Sequence, residues 1–275
     1  MSTRYDISPG ELAGIVELIK LNYGYDFSDY AHASLLRRVL RFMDTARVKT
    51  AYDLKYHLTN DKDFFAWFLQ TVTVNVTEMF RDPLFYKTLR DKVLPKLAAY
   101  PVIKIWHAGC STGEEVFSMC ILLHEAGLLD RARIYATDLN PVNIEKAKTG
   151  IVPMRYMKEY TANYQQSGGK NDFSAYYTAR YENALISKEL RSKIIFSQHN
   201  LVSDHVFNEF QLVCCRNVLI YFNKDLQNRI YHLFYDSLTP MGYLAIGMKE
   251  SLLFTDIRHR FETVHAAAKI FKRKL

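Results

Sequence analysis

Apolar residues recur at helical spacing through roughly the first 70 positions of the chain. Leu12, Ile15, Val16, Leu18 and Ile19 follow Ser8 and Pro9, a cap and a helix-start proline. A second helical stretch runs from Asp29 to Met43, with Leu35, Leu36, Val39, Leu40 and Met43 on one face. His32, Arg37, Arg38 and Arg41 are read as lying off that face. Shorter helices are expected over Tyr52–Leu58 and Asp63–Leu69, and no β pattern interrupts this part.

The texture changes near residue 102. Short apolar runs at Val102–Trp106, Ile134–Asp138, Ile194–Ser197, Leu212–Cys215 and Tyr243–Gly247 alternate with helical stretches. One helix runs on to Ala126, one opens at Asn140 and Pro141, and one spans Asn223–Leu238. Phe261–His265 and Lys269–Arg273 read as a closing hairpin. Strands alternating with helices predict an α/β domain with a mostly parallel sheet covered on both faces. Residues 151–192 break the rhythm with six tyrosines around a Gly168–Gly169 turn signal. They read as a small inserted subdomain, a hairpin with a short helix, whose tyrosines form its core. The domain reading is a helical part over 1–72 and an α/β part over 73–275.

Composition narrows the class. At 275 residues, 49% hydrophobic and 24% charged, the chain is long enough for a normal core and too apolar for disorder. No apolar run reaches the roughly 18–20 residues of a membrane span, and the first residues carry no signal-peptide pattern. Cys110, Cys120, Cys214 and Cys215 lack zinc-ligand spacing, so free buried thiols in a reducing, cytoplasmic setting and no metal are expected. The net charge of +7 permits nucleic acid, an anionic surface or an acidic protein as partner, and selects none of them.

Chemistry concentrates at the strand ends. Gly109-Cys-Ser-Thr-Gly113 follows the first strand, where glycines let backbone approach a ligand and the next helix offers free N–H groups. Asp138 ends the second strand, where an acid accepts hydrogen bonds from ribose hydroxyls. Together they read as a nucleoside-cofactor site. The same turn satisfies the G-x-S-x-G nucleophile elbow, with Ser111 as nucleophile and one of several later histidines as base. Against the elbow, no glycine-rich oxyanion segment precedes it and Glu114 and Glu115 follow it directly. Those two carboxylates would also repel a pyrophosphate. They suit S-adenosylmethionine, which is cationic at its amino-acid end and carries no phosphate, although an acid at a helix N-terminus is favourable in any case. The fourth strand runs into Arg216 and Asn217 without the Pro-Pro acceptor array of amine methyltransferases, which favours an anionic substrate; the alternative is that Arg216 pairs with a neighbouring carboxylate. Asn75, Thr77 and Arg81 are polar positions in an apolar stretch, open to a site role or to helix capping.

Asn-Val-Thr-Glu-Met-Phe-Arg (75–81), Trp-His-Ala-Gly-Cys-Ser-Thr-Gly-Glu-Glu (106–115), Ala-Thr-Asp (136–138), His-Asn-Leu (199–201) and Cys-Arg-Asn-Val-Leu-Ile-Tyr-Phe (215–222) occur in one order along nearly the whole chain. In this combination the sequence resembles the CheR-type chemotaxis receptor methyltransferases. The resemblance implies a class I S-adenosylmethionine-dependent methyltransferase (Rossmann-like) domain, with a small all-α N-terminal domain and an inserted β-subdomain. It implies methyl transfer to receptor glutamates, leaving S-adenosyl-L-homocysteine. By matching position, Asn75, Thr77, Arg81, Glu115, Asp138, Asn200, Leu201, Arg216 and Asn217 become expected cofactor contacts. Of the two glutamates the second is taken as the contact. Tyr221 and Arg216 become the expected residues of the methyl-transfer site. The chain departs from the family where many members carry Gly-His-Ser-Glu; here it reads Gly247-Met-Lys-Glu-Ser251.

A glutamate carboxylate, with a pKa near ~4.3, is already ionised at pH 7, so no general base is expected. The partner implied is a cytoplasmic receptor helix rich in acids, docked by Arg37, Arg38 and Arg41; the bland alternative for these arginines is a solvated face. A monomer without nucleic acid or membrane insertion is expected. Two competing functions are a cofactor-binding regulator without turnover and a methyltransferase of RNA or a small acid.

Overall fold

The computed structural model describes residues 7–73 and 76–275, so Asn75 lies outside the described residues. Two compact units emerge. One joins the chain up to residue 74 with Tyr221–Arg229; the other comprises Asn75–Ile220 and Ile230–Leu275.

The first unit is helical. Helix α1 (Pro9–Tyr23) opens on a capping box: the Ser8 hydroxyl accepts from the Glu11 amide, and the Glu11 carboxylate accepts from the Ser8 amide. Gly24, at φ 76°, closes it in the left-handed conformation that glycine adopts without strain. Helix α2 (His32–Ala46) precedes α3 (Ala51–Asn60), capped by Thr50, and α4 (Lys62–Val72), capped by Asp61. Ile15, Val39, Phe42, Leu54, Leu58 and Val72 fill the core between them. Helix α2 starts three residues later than its periodicity suggests. The Asp29 carbonyl and carboxylate instead accept from the backbone and side-chain amides of Asn223, and Tyr30 bridges to Phe222.

Arg38 is a correction to the polar face read from the sequence. Arg37 and Arg41 are exposed, whereas Arg38 is only 7% exposed. Its guanidinium donates to the Val72 carbonyl at 2.8 Å and to Ser34 Oγ at 3.2 Å, and lies 4.0 Å from the centre of the Tyr221 ring. A buried cation bonded and stacked in this way is a core residue with a long stem. It is therefore removed from the set of arginines available for docking a partner.

In the second unit, α5 (Pro83–Thr88), a π turn (Leu89–Val93) and α6 (Leu94–Leu97) lead into β1 (Ile103–Ala108). There follow α7 (Glu114–Glu125), β2 (Ala132–Asp138), α8 (Pro141–Thr149), β3 (Ile151–Pro153), α9 (Met157–Gln166), β4 (Tyr177–Arg180), β5 (Asn183–Ile186) and α10 (Lys188–Arg191). The chain ends with β6 (Ile194–Gln198), β7 (Phe210–Cys215), α11 (Lys224–Asp236), β8 (Leu238–Ile246), β9 (Phe261–His265) and β10 (Ile270–Arg273). Seven strands form one sheet in the order β6-β2-β1-β7-β8-β10-β9. The first five run parallel; β10 enters antiparallel between β8 and β9. β1 and β7 are buried along nearly their whole length, which is why they read as continuous apolar runs. β8 begins at Leu238, five residues before the strand read from the sequence. Its register with β7 shifts between Phe210 and Leu212, and Met241 at φ 65° breaks the apolar pattern there. The order reverses at β1, with β2 on one side and β7 on the other, so a crevice opens above these strand ends.

Strands β3, β5 and β4 form a separate antiparallel sheet. Its hairpin turns at Tyr181 and Glu182, while Gly168–Gly169 ends α9. A side chain at Gly169 would put its Cβ 2.2 Å from the Tyr164 ring. Tyr160, Tyr164 and Tyr176 are buried, whereas Tyr181 is fully exposed at the turn.

The carboxylate of Glu125, at the end of α7, ties this small sheet down. It accepts from the hydroxyls of Tyr164 and Tyr176 and from the Lys170 amide, and it pairs with Arg90, itself nearly buried. Burial opposes its charge, but these donors hold its pKa below the usual carboxylate value. Glu125→Ala strands the Arg90 cation and should cost about 3–5 kcal/mol of unfolding free energy. Glu125→Gln, which keeps one acceptor oxygen, should cost less. Urea denaturation of the three proteins checks this order.

Candidate functional site

The turn after β1 is built on left-handed backbone. Gly109 (φ 79°), Ser111 (φ 50°) and Gly113 (φ 98°) alternate with ordinary residues. At Gly109 a Cβ would lie 2.4 Å from Val218 Cγ2, so only glycine fits there. The amides of Gly109 and Cys110 both donate to the Thr137 carbonyl at 2.8 Å, folding the turn over the end of β2.

Asp138 is the acceptor at that end. One oxygen accepts from the Ser111 amide at 2.8 Å; the other accepts from the Asn140 amide at 2.9 Å and the Asn143 side chain at 3.2 Å. Burial raises its pKa and these donors oppose the rise. The His199 amide donates to the Asp138 carbonyl, which places the next segment alongside. There Asn200 closes a turn: its side-chain oxygen accepts from the Val202 amide, and its own amide donates to Asp204. Leu201 is half-buried in that turn. Trp106 lies beneath with His199 against its ring at 5.3 Å, and burial lowers the His199 pKa.

The two glutamates of α7 part company. Glu114 accepts from the Thr112 hydroxyl at 2.7 Å and lines a cavity of about 590 Å³ with Thr77, Glu78, Tyr156 and Tyr160. Burial raises its pKa. Glu115 points the other way. One oxygen lies 2.9 Å from His107 Nδ1 and the other accepts from Arg216 at 2.9 Å. Burial works against its charge, yet Arg216 and His107 hold its pKa below the usual value.

Arg216 is enclosed. Beyond Glu115 it donates to Asp82 at 2.7 Å and to the Arg81 carbonyl at 3.0 Å, and it stacks 4.0 Å over the Phe85 ring. It thereby fixes residues 81–82, where Phe80 (φ 55°) and Asp82 (φ 57°) bracket Arg81 in the left-handed region. The Arg81 side chain is half-exposed and donates to the Val76 carbonyl at 3.3 Å. Asn217 is also left-handed, at φ 62°. The turn it begins is capped by Glu250, whose carboxylate accepts from the amides of Val218 at 2.9 Å, Leu219 at 2.8 Å and Gly247. A Cβ at Gly247 would lie 2.7 Å from the Asn217 nitrogen, so the departure motif Gly247-Met-Lys-Glu keeps a glycine where backbone meets backbone.

Of the expected site residues, Glu115, Asp138, Arg216 and Asn217 converge on the ends of β1, β2 and β7, with Arg81, Asn200 and Leu201 on the flanking segments. Thr77 faces the Glu114 cavity, Asn75 lies outside the described residues, and Tyr221 belongs to the helical unit under Arg38. Sequence reasoning missed His107 and Glu250, and read Asp82 as a local partner of Arg81, whereas it pairs with Arg216. The only signal for His107 and Glu250 was their chemistry: a histidine and an acid inside or beside apolar strand runs. The serine-elbow alternative fails on geometry. Ser111 Oγ is buried with no hydrogen-bond partner among the described residues, so no histidine activates it. All four cysteines are free and buried.

These features suit a nucleoside whose other end is a cation. The turn offers backbone and an orphaned hydroxyl, Asp138 offers acceptors, and carboxylates occupy the place a phosphate would need. Comparison with known proteins agrees. The family described as the CheR methyltransferase, SAM binding domain, matches residues 75–270, and the CheR methyltransferase all-alpha domain matches residues 10–73. The Cher3 protein of Pseudomonas putida is 48% identical over 96% of each chain. A chemotaxis protein methyltransferase of Listeria innocua is 30% identical over 86% of this chain and 88% of its own. An uncharacterized 104.1 kDa protein of Rhodobacter capsulatus is 30% identical over 97% of this chain, which spans only 28% of that protein.

Glu250 gives a direct test of how the turn at Asn217 is held. Glu250→Gln replaces one acceptor oxygen by a donor facing backbone N–H groups. It should lower unfolding free energy by about 1–3 kcal/mol, and urea denaturation beside the parent measures the difference.

Proposed function

Because this chain belongs to the CheR methyltransferase family, we propose that it methylates glutamate side chains on the cytoplasmic helices of chemotaxis receptors, forming glutamate methyl esters. It is a methyltransferase of class I fold, and S-adenosylmethionine is its cofactor. When bound, the cofactor supplies an electrophilic methyl group on a sulfonium. The observation that most supports the reading is the Asp138 carboxylate, held by Ser111 and Asn140 at the end of β2 beside a turn whose following helix begins with two glutamates.

In this reading Asp138 accepts from the ribose hydroxyls, and Asn200 with Leu201 flanks the adenine. Asn75, Thr77 and Arg81 hold the amino-acid end. Glu115, Arg216 and Asn217 form the wall of the pocket, with Arg216 acting through the groups it fixes. Tyr221 orients the incoming carboxylate by its hydroxyl. No residue needs to remove a proton, because the nucleophile is a carboxylate that is ionised at neutral pH. Alignment in a dry site carries the rate; holding nucleophile, methyl carbon and sulfur in line is worth on the order of 7–11 kcal/mol. Arg37 and Arg41, both exposed on α2, dock the acidic receptor helix. No helix among the described residues is long and apolar enough to cross a membrane. In the proposed reading the protein meets the receptor's cytoplasmic helices as a monomer in the cytoplasm.

Incubation with methyl-labelled cofactor and a receptor cytoplasmic fragment tests the reading. Base-labile label on the fragment is the expected result; label only on RNA or a small acid, or none at all, overturns it. Tyr221→Phe should lower kcat at least about tenfold while the Kd for S-adenosylhomocysteine stays put. Arg37→Glu with Arg41→Glu should abolish receptor methylation and leave that Kd unchanged. Cofactor affinity should also fall on acidification before an ordinary aspartate titrates, because the raised pKa of Asp138 costs it its charge early. Asp138→Asn should weaken binding and flatten that acid limb.

A further inference from the structure

His107 sits in the middle of the β1 end, 1% exposed, between Ala136 on β2 and Cys214 on β7. Its Nδ1 lies 2.9 Å from Glu115, and its Nε2 is buried without a partner among the described residues. The geometry decides the tautomer. Glu115 is an ionised acceptor, already bonded to Arg216 through its other oxygen. A proton on Nε2 alone would set two lone pairs against each other at 2.9 Å and bury an N–H with no acceptor. A proton on Nδ1 satisfies Glu115 and leaves only a bare ring nitrogen unpaired. His107, Glu115 and Cys214 bring their ligating atoms within 4.8 Å of one another, but both oxygens of Glu115 are engaged by His107 and the Arg216 cation, which disfavours a metal there.

We propose that His107 is a positioning residue: its Nδ1–H bond orients the Glu115 carboxylate, and through it Arg216 and the Arg81–Asp82 backbone, for the amino-acid end of the cofactor. Glu115 is otherwise a side chain with three rotatable bonds beside one cation. With a donor on each oxygen it has one orientation, and Arg216 then has one place to sit between Glu115 and Asp82. The inference rests on the proposed assignment of Glu115 and Arg216 to the cofactor pocket.

Two substitutions separate position from packing. An asparagine amide nitrogen stands the same number of bonds from Cα as Nδ1, and a glutamine amide nitrogen the same number as Nε2. His107→Asn therefore keeps the donor to Glu115, and His107→Gln, equally polar, misplaces it. Titration of the full chain with S-adenosylhomocysteine should give the Asn variant a Kd within about threefold of the parent. The Gln variant should be about tenfold weaker, the scale of one hydrogen bond to a charged acceptor. Its KM for S-adenosylmethionine should rise with kcat little changed. Equal affinities for both variants, whether both tight or both weak, overturn the proposal, since ring packing or nothing would then explain the data. Glu115→Gln in the same titration keeps the two readings apart. Unchanged affinity in that variant removes Glu115 from the pocket. Weakened affinity there, with a tight His107→Gln, overturns the role of His107 alone.

Discussion

A guanidinium in a protein interior is tolerated only where its charge is met, and at Arg216 that requirement organises the residues around it. Glu115 and Asp82 take two of its nitrogens, the Arg81 carbonyl takes one of them again, and the face of Phe85 covers the plane. These partners come from the first turn of α7, from the stretch before α5 and from α5 itself. None is near Arg216 in sequence. Removing Arg216 leaves the largely buried Glu115 charge without its cation, which is strongly destabilising, whereas the intact set need contribute little net stability. Its value is arrangement: it fixes three chain segments at the ends of β1 and β7.

That arrangement holds backbone in conformations it would not choose. Phe80, Asp82, Ser111 and Asn217 are all left-handed without being glycine, and all lie at or beside these strand ends. Each costs of order 1–3 kcal/mol unless the surroundings determine it. Here the surroundings do. Ser118 Oγ accepts from the Phe80 amide, Arg216 grips Asp82, Asp138 accepts from Ser111, and Glu250 caps the residues after Asn217. Buried side-chain acceptors and donors thus perform, for irregular backbone, the task that ladders perform for strands.

This division explains what the sequence made legible. Periodicity exposed the helices and parallel strands because one face of each must be apolar, and an α/β domain with a mostly parallel sheet follows from their alternation. The glycine turn and Asp138 were legible because each carries a local backbone or strand-end requirement, and in space they meet at the Ser111 amide. Long-range pairings left no local trace. Arg38 looked like a surface arginine since its charge, not its apolar stem, is what a polar and apolar pattern registers; its partners Val72 and Tyr221 lie far along the chain. Glu250 sits in a segment that differs from its family's usual wording, so the difference drew attention and the unchanged acid did not. The start of β8 was hidden by a bulge, which breaks the alternation that marks a strand.

The charge of the enclosed cluster follows from the same contacts. Two carboxylates, Glu115 and Asp82, share one guanidinium, and Glu114, the preceding residue of α7, faces the adjoining cavity. The excess is negative at the very helix N-terminus that in a dinucleotide site would receive a pyrophosphate. In a medium that screens poorly, such an excess repels an anion and favours a cation over distances of several ångströms. A sulfonium with an ammonium beside it meets that field; a phosphate does not. The preference for a cationic cofactor over a phosphate thus follows from one imbalance, set by which side chains surround Arg216.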